Sequence, residues 1–154
     1  LETQREADFP LVLWLVNAGA DFAWWALERV SPDTLISFIG IPPAIVHAAA
    51  PTDRDSVMAM IRSIEPLSER FAGINIDSQP DLVERPPEGL AVPTLLITAR
   101  DDLFNTFPSA AYAAQHIPGA RLVVYEEGGH LLVGHGDAVR KEIADFVVAN
   151  GVSP

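Results

Sequence analysis

The chain has 154 residues, enough for one domain with a hydrophobic core, and 49% of them are hydrophobic against 20% charged. The formal net charge of −11 argues against nucleic acid and membrane surfaces as partners, because both are bound through clusters of Lys and Arg. The sequence contains no Cys, which excludes disulfides, thiol nucleophiles and cysteine metal sites within it.

The first half of the chain has the patterns of helices rather than strands. Apolar residues at spacings of three and four predict a helix over Pro10–Val30. Ser31 followed by Pro32 is typical of a helix start, and Gly40 is typical of the end of that helix.

Further helices and a connector follow in the same region. Pro42 and Pro43 open a short apolar helix that we expect to run through Ala50. Thr52, with an acid three residues later, resembles a capping box for a helix that ends near Ile64. The segment Asp77–Gly89 is rich in proline and is predicted to be a connector.

The pattern changes at Leu90. Val92–Ala99 is a nearly continuous apolar run, as expected of a strand covered on both faces of a parallel sheet. Ser109–His116 is predicted to be a helix and Arg121–Tyr125 a second strand. A final helix is expected to start near Asp137 and to face inward through Val139, Ile143, Phe146 and Val147. This order predicts a βαβα unit.

Chemically useful side chains follow both predicted strands. Asp101 and Asp102 come directly after the first strand, and His130 follows the second strand after two glycines. Because parallel strands present their carboxyl ends at one edge of a sheet, we expect these side chains to lie close together. A carboxylate that orients an imidazole, which then acts as general base, forms two members of a catalytic triad. The alternative is that both segments are polar loops without a catalytic role.

Three motifs together resemble the C-terminal part of the α/β-hydrolase fold. They are the run Val92–Asp102, the turn Ile117-Pro118-Gly119-Ala120 and the loop Gly128-Gly129-His130. The resemblance implies an α/β fold class, with Asp102 as the acid, Asp101 as the fallback acid and His130 as the base. It departs from the family at Ala99, where Gly is usual.

The resemblance also implies a division of the chain. Residues 1–86 would be the helical cap that such enzymes insert above the active site, and residues 87–154 the C-terminal part of the core. Large apolar side chains of the cap become candidates for a hydrophobic substrate pocket, the alternative being that they form the core of the cap. The candidates are Trp14, Phe22, Trp25, Phe38 and Met58.

The nucleophile that the fold requires is not found in the sequence. The expected G-x-S-x-G string does not occur, and the chain order of the fold is nucleophile, acid, histidine. We therefore expect the nucleophile upstream of Leu1 and the chain alone to be inactive. Two strands leave open sheet edges, which predicts pairing with an N-terminal hydrolase segment or oligomerisation with a second copy.

The implied function is hydrolysis of a small apolar ester-type substrate once a nucleophile-bearing half is joined. Family members with an Asp nucleophile also open C–halogen or epoxide bonds, so dehalogenase and epoxide hydrolase activities remain open. The alternative is a non-catalytic binding or assembly module that retains the fold. We expect no metal, no other cofactor, no nucleic-acid or membrane partner, and a cytoplasmic location.

Overall fold

A computed structural model describes residues 18–77 and 87–151. The elements in chain order are α1 (residues 18–30), α2 (Pro32–Phe38), α3 (Pro43–Ala48), α4 (Pro51–Ser63), a 3₁₀ helix (Leu67–Arg70), α5 (Phe71–Asp77), a second 3₁₀ helix (Pro87–Gly89), β1 (Leu95–Ala99), α6 (Phe107–His116), β2 (Arg121–Tyr125) and α7 (Gly136–Ala149). Helices together with a small parallel sheet agree with an α/β fold class. Among the described residues, no helix is long and apolar enough to cross a membrane.

The described residues form two compact units. The first unit comprises residues 18–35 and 58–77. All of its regular secondary structure is helical, as the sequence patterns predict. Its buried side chains are those of Trp24, Leu35 and Ile61. The indole Nε1 of Trp24 donates a hydrogen bond of 3.2 Å to the carbonyl oxygen of Ile61, so the buried indole N–H is satisfied.

The second unit, residues 36–57 and 87–151, contains the sheet. Strands β1 and β2 pair in parallel, with Leu95 opposite Arg121 and Ala99 opposite Tyr125. Their carboxyl ends therefore lie side by side, and the loops that follow start from the same edge. The buried apolar side chains of this unit are Ile36, Ile39, Ile41, Val46, Val57, Ala99, Ile117 and Val133.

Several predicted helix boundaries are wrong by one to three residues. Helix α4 begins at Pro51, so Thr52 lies inside its first turn and does not cap it. Helix α6 begins at Phe107 rather than Ser109, with Thr106 in the N-cap position. In both helices a proline in the first turn supplies the start, because its fixed φ suits the helix and its missing N–H needs no partner there. Helix α3 ends at Ala48, before the predicted Ala50.

Strand β1 and helix α7 also differ in detail from the prediction. Strand β1 begins at Leu95 rather than Val92, because Val92 is exposed and Pro93 has no N–H to donate to a ladder. Helix α7 begins at Gly136, as expected near Asp137, but Ile143 is exposed although it falls within the predicted inward stripe.

Other predictions cannot be compared with the structure. The first part of the predicted helix Pro10–Val30, the candidate Trp14 and most of the predicted connector lie outside the described residues. The division into a cap over residues 1–86 and a hydrolase core over residues 87–154 stays a prediction.

Candidate active site

The loops that follow β1 and β2 run side by side. The backbone N–H of Arg100, just beyond β1, donates to the carbonyl oxygen of Tyr125 at 3.0 Å and so extends the ladder past the strand ends. Asp102 and His130 then meet: Nδ1 of the imidazole lies 2.9 Å from Oδ2 of the carboxylate. The structure thus brings together two side chains that the sequence predicts at the same sheet edge.

The carboxylate of Asp102 is buried, and both of its oxygens accept hydrogen bonds. Its side chain is 3% exposed. Oδ2 accepts hydrogen bonds from the Thr106 hydroxyl and the His130 imidazole, and Oδ1 accepts the backbone N–H of Phe104 at 2.8 Å. Because an ionised carboxylate can only accept, Nδ1 of His130 must carry the proton in this arrangement.

The surroundings of Asp102 hold its pKa below the usual value of 3.8. Burial is the largest single influence on this pKa and by itself raises it. The hydrogen bonds from Thr106, His130 and the Phe104 N–H, together with the charge of His130, outweigh burial. Asp102 is therefore ionised near neutral pH, and it remains a hydrogen-bond acceptor for the imidazole.

The other side of the His130 ring is open. The side chain is 42% exposed, and Nε2 makes no hydrogen bond to any residue that the structure describes. The ring of Phe104 meets it edge-on, with 4.7 Å between the ring centroids, and is itself 53% exposed. Leu103, which precedes Phe104 in the chain, is also exposed.

One carbonyl group fixes both loops. The carbonyl oxygen of Gly40 accepts the backbone N–H of Leu103 at 3.1 Å and that of His130 at 3.0 Å. Gly40 has a φ of +84°, and a Cβ at this position would lie 2.7 Å from Cβ of His130 and 3.0 Å from the ring of Phe104. Only glycine fits here, because both the positive φ and the close approach exclude a side chain.

Asp101, the fallback acid, is hydrogen-bonded elsewhere. Its Oδ2 accepts the N–H of Gly128 at 3.1 Å and its Oδ1 that of Gly129 at 2.8 Å. It makes no hydrogen bond to the His130 imidazole. The two adjacent acids therefore hold different parts of the same loop.

The predicted pocket residues fall in both units. Phe22 and Trp25 are exposed and stack with 5.7 Å between ring centroids in the helical unit, which also contains the half-buried Met58. Phe38 is exposed and belongs to the unit that carries His130. Their role in a substrate pocket stays a prediction.

Two further histidines of this unit, His135 and His116, pack against neighbouring residues. Nε2 of His135 lies 3.0 Å from the Glu127 carbonyl oxygen, and its ring stacks on Tyr125. Nδ1 of His116 lies 2.8 Å from the carbonyl oxygen of Tyr112, and the two rings stack. Within the described ranges, no three His, Asp or Glu side chains converge as metal coordination would require.

The sequence reasoning missed Gly40, Phe104 and Thr106. Thr106 could have been considered, since a hydroxyl four residues after an acid can reach back to it in a tight turn. Gly40 carries only the signal of a helix stop, and nothing in its neighbourhood points to a contact with residues of the C-terminal half. No sequence pattern marks Phe104 as a neighbour of the histidine.

Comparison with known proteins identifies the family of the chain. The family described as TAP-like protein, within the α/β-hydrolases, matches residues 66–153, which is more than half of the chain. That range includes the sheet, Asp101, Asp102 and His130. No curated protein and no solved structure matches the chain.

We predict that Gly40→Ala destabilises the protein more than Gly134→Ala. Both glycines have a φ of +84°, but a Cβ at Gly134 would meet nothing within 4 Å. Gly134→Ala should lower the free energy of unfolding by about 1–2 kcal/mol, the strain of a positive φ. Gly40→Ala should lower the free energy of unfolding by a further ~1–3 kcal/mol, because its Cβ would also clash with His130. Urea unfolding measures both, and equal losses would show that Gly40 does not abut His130.

The lowered pKa of Asp102 predicts a pH-dependent contribution to stability. A carboxyl group whose pKa is lower in the folded state stabilises the fold above its unfolded pKa and loses that contribution as the pH falls through its folded pKa. The difference in unfolding free energy between wild type and Asp102→Asn should therefore be constant near pH 5 and shrink below about pH 4. Denaturant titrations from about pH 5 to about pH 2.5 measure it. A difference that does not change with pH contradicts the assignment.

Proposed function

The chain belongs to the TAP-like family of α/β-hydrolases, and we propose that Asp102 and His130 are the acid and the base of its hydrolytic site. The observation that carries the proposal is the 2.9 Å contact between Asp102 and Nδ1 of His130, with Nε2 left open. An imidazole held in this way presents a lone pair to whatever group approaches from the exposed side.

The contacts assign a separate task to each side chain. The Asp102 carboxylate fixes the ring orientation and the tautomer, and it stabilises the positive charge that forms when Nε2 takes a proton. His130 removes the proton from the nucleophile, returns it to the leaving group, and then activates water against the covalent intermediate. Thr106 and the N–H of Phe104 keep Asp102 ionised and prevent its carboxylate from rotating away.

The nucleophile and the oxyanion-binding amides belong, in this proposal, to a segment that precedes the acid in chain order. The support is the order nucleophile, acid, histidine of the fold and the absence of a G-x-S-x-G string from the sequence. No hydroxyl group of the described residues hydrogen-bonds to Nε2 of His130. The same segment would pair with the sheet, and self-association is the alternative way to cover it.

The substrate class is a small ester with an apolar group. Phe104 contacts the His130 ring, and Leu103 precedes Phe104 in the chain. Both side chains are exposed, so a substrate whose reacting carbonyl lies near Nε2 would meet apolar surface. Because these side chains offer no charge, an apolar acyl or alkyl group fits better than an ionic one. We take an ester-type reaction with a serine nucleophile as the proposal, with opening of a C–halogen or epoxide bond as the alternative that the same apolar surface would also suit.

The test is ester hydrolysis by this chain together with a nucleophile-bearing N-terminal half. We expect p-nitrophenyl ester hydrolysis. Asp102→Asn should lower kcat by about 10⁴-fold and His130→Ala by about 10⁶-fold, the losses seen when these members of such a triad are removed. His116→Ala is the matched control, since His116 packs on Tyr112 on the surface of α6, and it should leave the rate unchanged.

Two results would contradict the proposal. Hydrolysis that survives His130→Ala would remove His130 from the mechanism. A well-folded wild-type complex that hydrolyses no ester would instead favour a non-catalytic binding or assembly module.

A further inference from the structure

Two consecutive acids hold three consecutive residues of the histidine loop. The carboxylate of Asp101 accepts the N–H of Gly128 at 3.1 Å and the N–H of Gly129 at 2.8 Å. The carboxylate of Asp102 lies 2.9 Å from the imidazole Nδ1 of His130. The proposed catalytic site uses Asp102 and leaves the neighbouring carboxylate without an assigned task.

The loop backbone forms a receptor for that carboxylate. The N–H groups of Gly128 and Gly129 both point to the Asp101 carboxylate, and both glycines have a positive φ, +134° and +61°. Successive amides turned in this way make a concave anion-binding site. Here the anion is an internal carboxylate, with one oxygen for each amide.

The backbone orientation of Gly129 determines the position and direction of His130, the next residue in the chain. A Cβ on Gly129 would lie 2.8 Å from Cα of Ile41, so the loop is pressed against that backbone. Beyond Gly129, the only described polar anchors of His130 are its own N–H on Gly40 and its ring on Asp102. Without Asp101, the amides of Gly128 and Gly129 would lose their acceptor, and the direction of the His130 side chain would depend on the contacts of His130 itself.

We propose that Asp101 is a positioning residue that fixes the direction of the His130 side chain through the amides of Gly128 and Gly129. The inference rests on the proposed role of His130 as the base. It assigns Asp101 no contact with substrate and no proton transfer. Its effect is to keep Nε2 in one place while the imidazole gains and loses a proton.

A nearby ion pair provides the matched control. Nε of Arg100 and Oε1 of Glu126 lie 3.1 Å apart and join the same two segments, but both side chains are exposed and neither bonds to the glycine amides. An exposed pair of this kind contributes little to stability. Glu126→Gln therefore removes a carboxylate from the same region without disturbing the loop.

The first test measures hydrogen exchange of the Gly128 and Gly129 amides in the chain itself. Asp101→Ala should speed their exchange by about 10–100-fold, because each amide loses a charged acceptor. Asp101→Asn should have a smaller effect, since its amide oxygen can still accept one N–H, and it carries the test if Asp101→Ala does not fold. Glu126→Gln should exchange like wild type. Wild-type exchange in both Asp101 variants overturns the proposal.

The second test uses the complex with the nucleophile-bearing half. Asp101→Ala should lower kcat by about 10–100-fold with KM unchanged, as expected when a catalytic group is displaced by about 1 Å. Added formate should restore part of kcat by occupying the vacated anion site. A kcat equal to that of wild type, or an equal loss in Glu126→Gln, overturns the proposal. A wild-type complex without esterase activity refutes the proposed function instead, and amide exchange then still decides the role of Asp101.

Discussion

The site depends on a buried carboxylate that accepts hydrogen bonds on both of its oxygens. Asp102 receives two donors that are close in sequence, the hydroxyl of Thr106 and the N–H of Phe104, and one that is distant, the imidazole of His130. The local donors fix the carboxylate within its own loop, so the distant imidazole meets an acceptor that is already oriented. Their hydrogen bonds also offset the desolvation of the charge, which is why an ionised acid can be buried at the end of β1.

Backbone groups around this carboxylate also fix the positions of the acid loop and the histidine loop. The Gly40 carbonyl oxygen binds the N–H of Leu103 in the acid loop and that of His130 in the histidine loop, so the two loops share one anchor. Asp101 holds the glycines just before His130. The acid and the histidine are thus positioned mainly by fixed backbone groups, and the imidazole needs little reorganisation when its charge changes.

The strands and the two site residues at their ends could be predicted from the sequence for a physical reason. A parallel sheet places all its carboxyl ends at one edge, so an acid after one strand and a histidine after the next must be neighbours. Strand β2 matches its prediction, and the family of the chain is the one that the motifs resemble. Local signals of this kind do not depend on tertiary contacts.

What the sequence did not predict depends on contacts between distant segments. Gly40 carries the signal of a helix stop, and its second task arises only when residues of the C-terminal half pack against it. The sequence does not indicate that the adjacent acids Asp101 and Asp102 have different partners, because the directions of their side chains depend on the turn after β1. The helix starts at Pro51 and Phe107 were missed because Thr52 and Ser109 resemble caps, whereas a proline in the first turn started both helices.

The central claim is that the contact with Asp102 places the proton of the neutral His130 tautomer on Nδ1 and leaves Nε2 as the nitrogen that accepts a second proton. The ¹⁵N chemical shifts of the His130 ring nitrogens, assigned by comparison with His130→Ala, report this tautomer directly. For the neutral ring, the account predicts a protonated Nδ1 and an unprotonated Nε2 in the wild-type chain, and loss of that preference in Asp102→Asn. A wild-type ring with its proton on Nε2 would contradict it.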